Sequence, residues 1–333
     1  MARDHTIVQL LNEGTSPRIS AVVCTYRRAD TLRAAIESLM SQSLPKSLYE
    51  IIVVDNDAKG SASPLVQALA GSSSPALSYV IEPNQGLSHA RNRAVREAAG
   101  DIVAFLDDDA VASPDWLAVI LSAYDADPTV GAVGGKVLPI WDRERPPWLT
   151  NGRLRSLSLL DLGEAGRALQ WPERIIGANC SFQKGLFEEV GLFATDLGRR
   201  GNLLLGNEDT EIQMRIHSLG RKIVYAPEAA VAHHVPGDRL NKRYFYRRAY
   251  GSGMSEAIVM NAANGSLFRK CLSLGIRLPA RVALLILRLQ DEQKAMSTIE
   301  RIAHELGFLR QSGQLLLRKA KMSTAPASVF RGE

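Results

Sequence analysis

Cysteine is scarce in this 333-residue sequence, with three in all, Cys24, Cys180 and Cys271, far apart. So sparse and odd a set supplies neither a disulfide framework nor a zinc pattern, and it suits a reducing compartment. Long apolar runs are missing as well. The nearest candidate, Leu278 to Leu289, is broken by Arg281 and Arg288, and nothing approaches the roughly 20 residues that span a bilayer. The first residues carry Arg3, Asp4, His5 and Glu13 around a short apolar patch, without the continuous apolar core of a secretory signal. A cytoplasmic protein with no transmembrane helix is expected. Also absent is any G-x-G-x-x-G after the first strand-like run, which counts against a dinucleotide fold.

Charge is present but uneven. The total is +5, yet from Arg239 onward 17 Lys or Arg stand against 6 Asp or Glu, a balance of +11 that leaves −6 for the preceding part. A basic tail of this kind suits an anionic partner, either nucleic acid or the anionic inner face of a cell membrane. The stretch Arg243-Tyr244-Phe245-Tyr246-Arg247-Arg248 is explained by one helix with its aromatics inward and its arginines outward, so no nucleic acid is expected. Peripheral contact with an anionic membrane is the expectation, with the apolar faces around Leu278 to Leu289 contributing.

Along the chain, Ile19 to Cys24 reads as a strand, and Leu32, Ala35, Ile36 and Leu39 follow at helical spacing, with Asp30 or Thr31 as the cap. Ile51 to Val54 and Leu77 to Ile81 are further strands, separated by a short helix at Leu65 to Leu69. A helix capped by Ser88 and stopped by Gly100 leads to a strand at Ile102 to Leu106. Ser113-Pro114 opens another helix before the strand-like Val130 to Val137. After an irregular, Trp-containing loop from Trp141 to Arg174, order resumes at Ile176 to Phe182. A helix then runs from Glu208 to Leu219, followed by a strand at Ile223 to Tyr225 and another ending near His233. Such alternation implies an α/β fold with a mostly parallel sheet covered by helices. The reading divides the chain into an N-terminal segment (1–17), a catalytic domain (18–240) and a basic amphipathic helical extension (241–333).

In an open α/β sheet, ligands bind beyond the carboxyl ends of the strands. Here those positions are polar: Thr25, Tyr26, Arg27 and Arg28 after the first strand, Asp55, Asn56 and Asp57 after the second, and Asp107, Asp108 and Asp109 after the fourth. Three adjacent aspartates repel one another unless a cation or water compensates them. Isolated, they would read equally well as a solvated acidic turn; placed after Val103-Ala104-Phe105-Leu106 they point to a divalent ion, Mn²⁺ or Mg²⁺. Strand alternation places His233 and His234 on opposite faces, so at most one of them can be a ligand from another element without a bulge.

Taken together, these segments resemble the inverting family-two glycosyltransferases of GT-A fold. The matching pieces, from about Ile19 to Gly253, include Val23-Cys24-Thr25-Tyr26, Val53-Val54-Asp55-Asn56, Asn84-Gln85-Gly86-Leu87 with Ala90-Arg91-Asn92, Asp101 to Asp109, Gly177-Ala178-Asn179, Gly206-Asn207-Glu208-Asp209 and Tyr225-Ala226-Pro227 to His233, all in family order. The resemblance implies a donor nucleotide held by Thr25, Tyr26, Arg27, Asp55, Arg91, Asp107 and Asp108, with Asp55 accepting from the base. It further implies a metal on Asp109 and, in preference to His234, His233; it also implies Asn179 and Glu208 on the acceptor or donor-sugar side, and Asp209 as catalytic base. The partners so implied are a nucleoside diphosphate sugar and a glycan or lipid-linked sugar acceptor. A nucleotidyltransferase that makes nucleotide sugars would need a glycine-rich loop where Thr25 to Asp30 has no glycine. A non-catalytic nucleotide-sugar-binding subunit would not need Asp107, Asp109, Glu208, Asp209 and His233 intact.

Overall fold

The computed structural model describes residues 16–70, 75–201, 204–263 and 265–324. Most of the 1–17 segment lies outside them. Eight strands form the principal sheet: β1 (Ile19–Thr25), β2 (Tyr49–Asp55), β3 (Ala76–Ile81), β4 (Ile102–Asp107), β6 (Val130–Gly134), β8 (Arg167–Ala168), β9 (Asn179–Gln183) and β10 (Lys222–Tyr225), in the spatial order 3-2-1-4-9-6-10-8. A second sheet places β11 (Val231–Val235) between β5 (Ala110–Ala112) and β7 (Val137–Trp141). The expected α/β class with a mostly parallel sheet is what is found. Strand β9 departs from it, running antiparallel to both β4 and β6.

The apolar runs become strands for the expected reason: Ile19, Ala21, Val22 and Val23 of β1, and Ile51 to Val54 of β2, are buried at the sheet's centre. Helix α1 (Ala29–Met40) buries the predicted Leu32, Ala35, Ile36 and Leu39. Its cap is corrected: neither Asp30 nor Thr31 caps it, because the helix already begins at Ala29 after Arg28. Helix α2 (Ser63–Leu69) follows β2. Helix α3 (Leu87–Glu97) starts one residue before Ser88, whose hydroxyl instead donates to the Leu197 carbonyl. Gly100 does not stop that helix; a Cβ there would lie 2.8 Å from the β1 backbone, so the residue is needed for close approach. Helices α4 (Trp116–Ala126), α5 (Leu186–Val190) and α6 (Glu208–Ser218) complete this part of the chain.

The strand-like run Val130 to Val137 is two strands in different sheets. The break falls at Gly135, where a Cβ would lie 2.0 Å from the Ala229 carbonyl oxygen. Asn179 fastens this seam: its amide nitrogen donates to the carbonyls of Lys136 (3.0 Å) and Ala229 (2.7 Å), and its oxygen accepts from the Trp116 indole (2.8 Å). The side chain is fully buried. This corrects its assignment to the acceptor or donor-sugar side, since its hydrogen-bonding capacity is spent inside the protein.

Two compact units emerge. One contains the sheets and ends at Leu240; the other comprises Asn241 onward together with residues 204–207. In the second unit α7 (Lys242–Ala262), α8 (Leu267–Arg288) and α9 (Glu292–Thr324) pack together. Asn241 caps α7 by accepting from the Tyr244 amide, and Ser266 caps α8 by accepting from the Arg269 amide. Helices α7 and α9 meet through glycines: a Cβ at Gly253 would lie 1.8 Å from the His304 carbonyl, and one at Gly307 would lie 2.0 Å from that of Tyr250. Phe245 is buried and Arg243 and Arg247 are exposed as expected, but Tyr244 and Tyr246 are only half-buried and Arg248 turns inward to the Leu204 carbonyl. The 204–207 segment joins these helices through the Leu204 carbonyl, which accepts from Arg248, and the Gly206 amide, which donates to Ser255.

Asn179→Ala is expected to lower stability by about 1–3 kcal/mol for the stranded Trp116 donor alone. Urea unfolding checks this; a midpoint equal to wild type would show that the buried amide does not hold the seam.

Candidate active site

Strand register assembles the site. β1 and β4 are parallel neighbours with Cys24 opposite Asp107, so the next residues, Thr25 at the end of β1 and Asp108 just past β4, come side by side. The Thr25 hydroxyl donates to Asp108 at 2.8 Å. The chain then leaves the principal sheet through Asp108-Asp109 and enters β5, which pairs with β11 so that Ala110 faces His233. The amide of His234 donates to the Asp109 carbonyl at 2.8 Å. His233 is thereby delivered to the aspartates from a strand more than a hundred residues away. It is not the end of its strand, as expected, but its middle residue.

The ligand atoms of Asp107, Asp109 and His233 lie within 4.8 Å of one another. His233 Nε2 is 3.2 Å from Asp109 and 4.0 Å from Asp107. Its Nδ1 is buried without a hydrogen-bond partner among the described residues. Two carboxylates and an imidazole make a donor set of hard oxygens and one nitrogen, which fits Mn²⁺ or Mg²⁺. His234 points away and pairs with Asp142. Asp107, expected on the nucleotide side, belongs with this cluster.

Burying carboxylates side by side requires compensation. Arg28 provides it, reaching Asp108 at 2.7 Å and Asp109 at 2.6 Å, and Arg239 stands 3.5 Å from Asp109. Burial alone would raise the Asp109 carboxyl, but the His233 ring and the Arg28 and Arg239 guanidiniums outweigh it and hold the group well below the usual carboxylate range. Asp108 goes the other way. Burial pushes it up to about 7 against the pull of Arg28, and the neighbouring aspartates add to the rise.

A cavity of about 520 Å³ opens beside the cluster, lined by Thr25, Tyr26, Arg28, Asn56, Gln85, Gly86, the three aspartates, Arg199, His233 and Arg239 among others. Thr25, Tyr26, Asp107, Asp108, Asp109 and His233 are therefore brought together as expected. Others are not. Arg27 has a left-handed backbone, with φ +55°, and turns away to pair with Asp57 at 2.9 Å, leaving Arg28 to face the cavity. Asp55 is fully buried and does not line the cavity: its oxygens accept from the amides of Asp57 and Ala62 and from the Tyr79 hydroxyl. Its neighbour Asn56 lines the cavity instead and accepts from the Gly86 amide at the start of α3.

Arg91 is likewise internal. Its guanidinium, 2% exposed, donates to Glu208 (3.0 Å) and to the Gly177 carbonyl (2.9 Å), and it stands 3.9 Å from Asp107. Burial works against its charge, but Glu208, Asp107 and Asp209 outweigh that. Phe105 and Phe193 contribute ring faces 5.4 and 5.6 Å away. Arg91 thus links the aspartate cluster to the start of α6 and makes no contact with the cavity. Asp209, half-buried at that helix start, accepts from the amides of Gly177 and Thr210, each at 2.8 Å, and with Glu208 lies outside the cavity lining.

The cavity's three arginines, Arg28, Arg199 and Arg239, were given no role by sequence reasoning, although Arg28 was noted among the polar residues after the first strand. Arg28 had a usable signal, its place directly after β1. Arg239 follows β11 by four residues, and Arg199 sits in a stretch with no periodicity to interpret.

Comparisons with known proteins agree with this geometry. The model of "Glycosyl transferase family 2" matches residues 20–191. The chain is similar to a glucosyl-dolichyl phosphate glucuronosyltransferase of Haloferax volcanii, 28% identical over 245 residues, covering 73% of this chain and 77% of that protein. It is also similar to the succinoglycan biosynthesis protein ExoM of Rhizobium meliloti, 32% identical over 237 residues, covering 70% and 72%. Among solved structures, a mannosyltransferase from Pyrobaculum calidifontis in complex with GDP-Man and Mn²⁺ shares the fold, with a TM-score of 0.59 and 24% identity over 89% of this chain and 88% of that one. With the family model spanning half the sequence and the aspartate-bearing β4 inside the match, the chain belongs to glycosyl transferase family 2 and is a hexosyltransferase-type enzyme of GT-A fold.

Proposed function

We propose that this enzyme is metal-dependent and inverting, moving a sugar from a nucleoside diphosphate sugar to a hydroxyl of a glycan or lipid-linked acceptor in cell-surface glycan synthesis. The observation that carries the reading is the Asp107–Asp109–His233 cluster at the wall of a cavity whose other charged residues include Arg28, Arg199 and Arg239. Carboxylates suited to a cation beside guanidiniums suited to phosphate are what a diphosphate with its counter-ion needs. The named activity of the Haloferax volcanii relative and the named pathway of the Rhizobium meliloti one support the acceptor class. The enzyme works at the cytoplasmic face of a membrane in peripheral contact with anionic lipid; no helix among the described residues is long and apolar enough to cross one.

Asp109 and His233, with Asp107, would hold the ion, which when bound would supply Lewis-acid stabilisation to the diphosphate. Thr25 and Tyr26 border the nucleotide, and Arg28 is placed to exchange its carboxylate partners for phosphate oxygens. In a single displacement the acceptor oxygen bonds to the anomeric carbon as the carbon–oxygen bond to diphosphate breaks, its electron pair leaving with the diphosphate. Attack from the face opposite the leaving group inverts the centre. The proton released from the acceptor hydroxyl passes to the Asp209 carboxylate. Arg91 and Glu208 are positioning residues, fixing the start of α6 relative to Asp107.

Titration of UDP or GDP with and without Mn²⁺ tests the ion site. Asp109→Asn and His233→Ala are expected to abolish the Mn²⁺ enhancement of nucleotide binding, while His234→Ala retains it; an unchanged metal dependence in the first two sinks the assignment. For the base, Asp209→Asn is expected to keep donor affinity while lowering turnover by at least about 100-fold. Near-wild-type turnover would assign the proton to another group.

A further inference from the structure

Helix α8 carries an apolar face that nothing in its own unit covers. Its inner side is accounted for: Leu267, Cys271 and Leu274 pack with Ala257 and Phe308. The outer side presents Phe268, Leu272, Ile276, Ile286 and Leu287, each between 60% and 82% exposed. Phe268, Leu272 and Ile276 are four apart and share one face as a stripe; Ile286 and Leu287 lie beyond Pro279, which interrupts the helix's hydrogen-bond ladder, and are exposed in their turn. At about 1.5 Å per residue the 22-residue helix is about 33 Å long. Yet it does not qualify as a membrane span.

The charge on this helix is of one sign. Between Leu267 and Arg288 there are five basic residues, Arg269, Lys270, Arg277, Arg281 and Arg288, and no acidic one. Lys270 pairs with Glu256 and Arg281 with Glu305. Arg269 and Arg277 are exposed beside the stripe with no ion pair among the described residues. The positive charges also crowd: Arg277 and Arg301 both act on Arg281 to lower its guanidinium, after burial as the larger cause. An apolar stripe flanked by unpaired arginines is matched by a surface with a hydrocarbon interior and an anionic face. A second copy of the chain is the poorer occupant, since apposing two such stripes brings like charges together.

We propose that the outer face of α8 is the membrane-docking surface, lying in the plane of an anionic bilayer with Phe268, Leu272, Ile276, Ile286 and Leu287 in the acyl boundary and Arg269 and Arg277 on lipid phosphates. This rests on the peripheral-membrane reading above and narrows it from a basic tail to one helix face. The surface charges set the lipid preference, and the stripe sets the depth.

The full-length protein is tested by sedimentation with phosphatidylglycerol-containing vesicles and with pure phosphatidylcholine vesicles. Wild type is expected to bind the anionic vesicles, less so at high salt. Leu272→Glu/Ile276→Glu is expected to weaken that binding at least tenfold, and Arg269→Gln/Arg277→Gln to remove most of its salt dependence. A tryptophan placed by Phe268→Trp is expected to shift its emission to the blue on vesicle addition. Circular dichroism and Mn²⁺-dependent nucleotide binding, measured on the same variants, report folding and the glycosyltransferase site separately, so failure of docking and failure of the catalytic reading are told apart. Unchanged vesicle binding by Leu272→Glu/Ile276→Glu overturns the proposal, as does wild type that binds no vesicles. A wild-type dimer that this variant dissociates, with no vesicle binding, overturns it in favour of a second copy.

Discussion

Burying Asp108 and Asp109 beside the half-buried Asp107 at the end of a strand imposes a demand for positive charge that local structure cannot meet, and much of the sheet-bearing unit is arranged around it. Arg28 meets part of the demand from just after β1 and Arg239 from the turn after β11, while the His233 ring stands 3.2 Å from Asp109. Arg91 holds Asp107 from the other side while keeping Glu208 in place. None of these groups is near the aspartates in sequence. The parallel pairing of β1 with β4 and the antiparallel pairing of β5 with β11 make them neighbours. Topology therefore sets the electrostatics of the site.

The strands and the aspartate run were legible in the sequence because each depends on local pattern. Apolar runs such as Ile19 to Cys24 can only be buried strands in an alternating chain, and charged residues directly after them must lie at the sheet's carboxyl edge. What could not be read was the direction in which a side chain leaves a turn. Arg27 and Arg28 are adjacent and chemically identical, and one backbone torsion at Arg27 decides which faces the cavity. Asp55 and Asn56 present the same ambiguity. The buried arginine was misread for a different reason: Arg91 lies on the inward face of α3, where a charge is expected only if it is paired, and its partner Glu208 is 117 positions away. Asn179 was read from its motif as a contact for sugar, and its use in joining two sheets needed the positions of Trp116, Lys136 and Ala229 together.

The helical unit follows a different physical logic. Its interior is small, and α7 and α9 meet backbone to backbone through Gly253 and Gly307. Close approach of this kind leaves little room for large side chains between α7 and α9 at these glycines, while several large apolar residues of α8 face outward. Composition revealed the positive charge of this region but not that residues 204–207, upstream of it, belong with it.

The turn Asp107 to Asp109 belongs to both sheets, closing β4 and opening β5. Its side chains are positioned by strand backbones, with a third contribution from β11, while the irregular residues 142–175 supply only Ser158 to the cavity wall. The two parts of the fold are therefore separable in evolutionary terms. Insertions, deletions and changes of sequence in the 142–175 stretch can accumulate without disturbing the spacing of the carboxylates and the imidazole, because no strand that fixes that spacing passes through it. A scaffold divided in this way can keep one charged cluster constant while its neighbouring loop diverges.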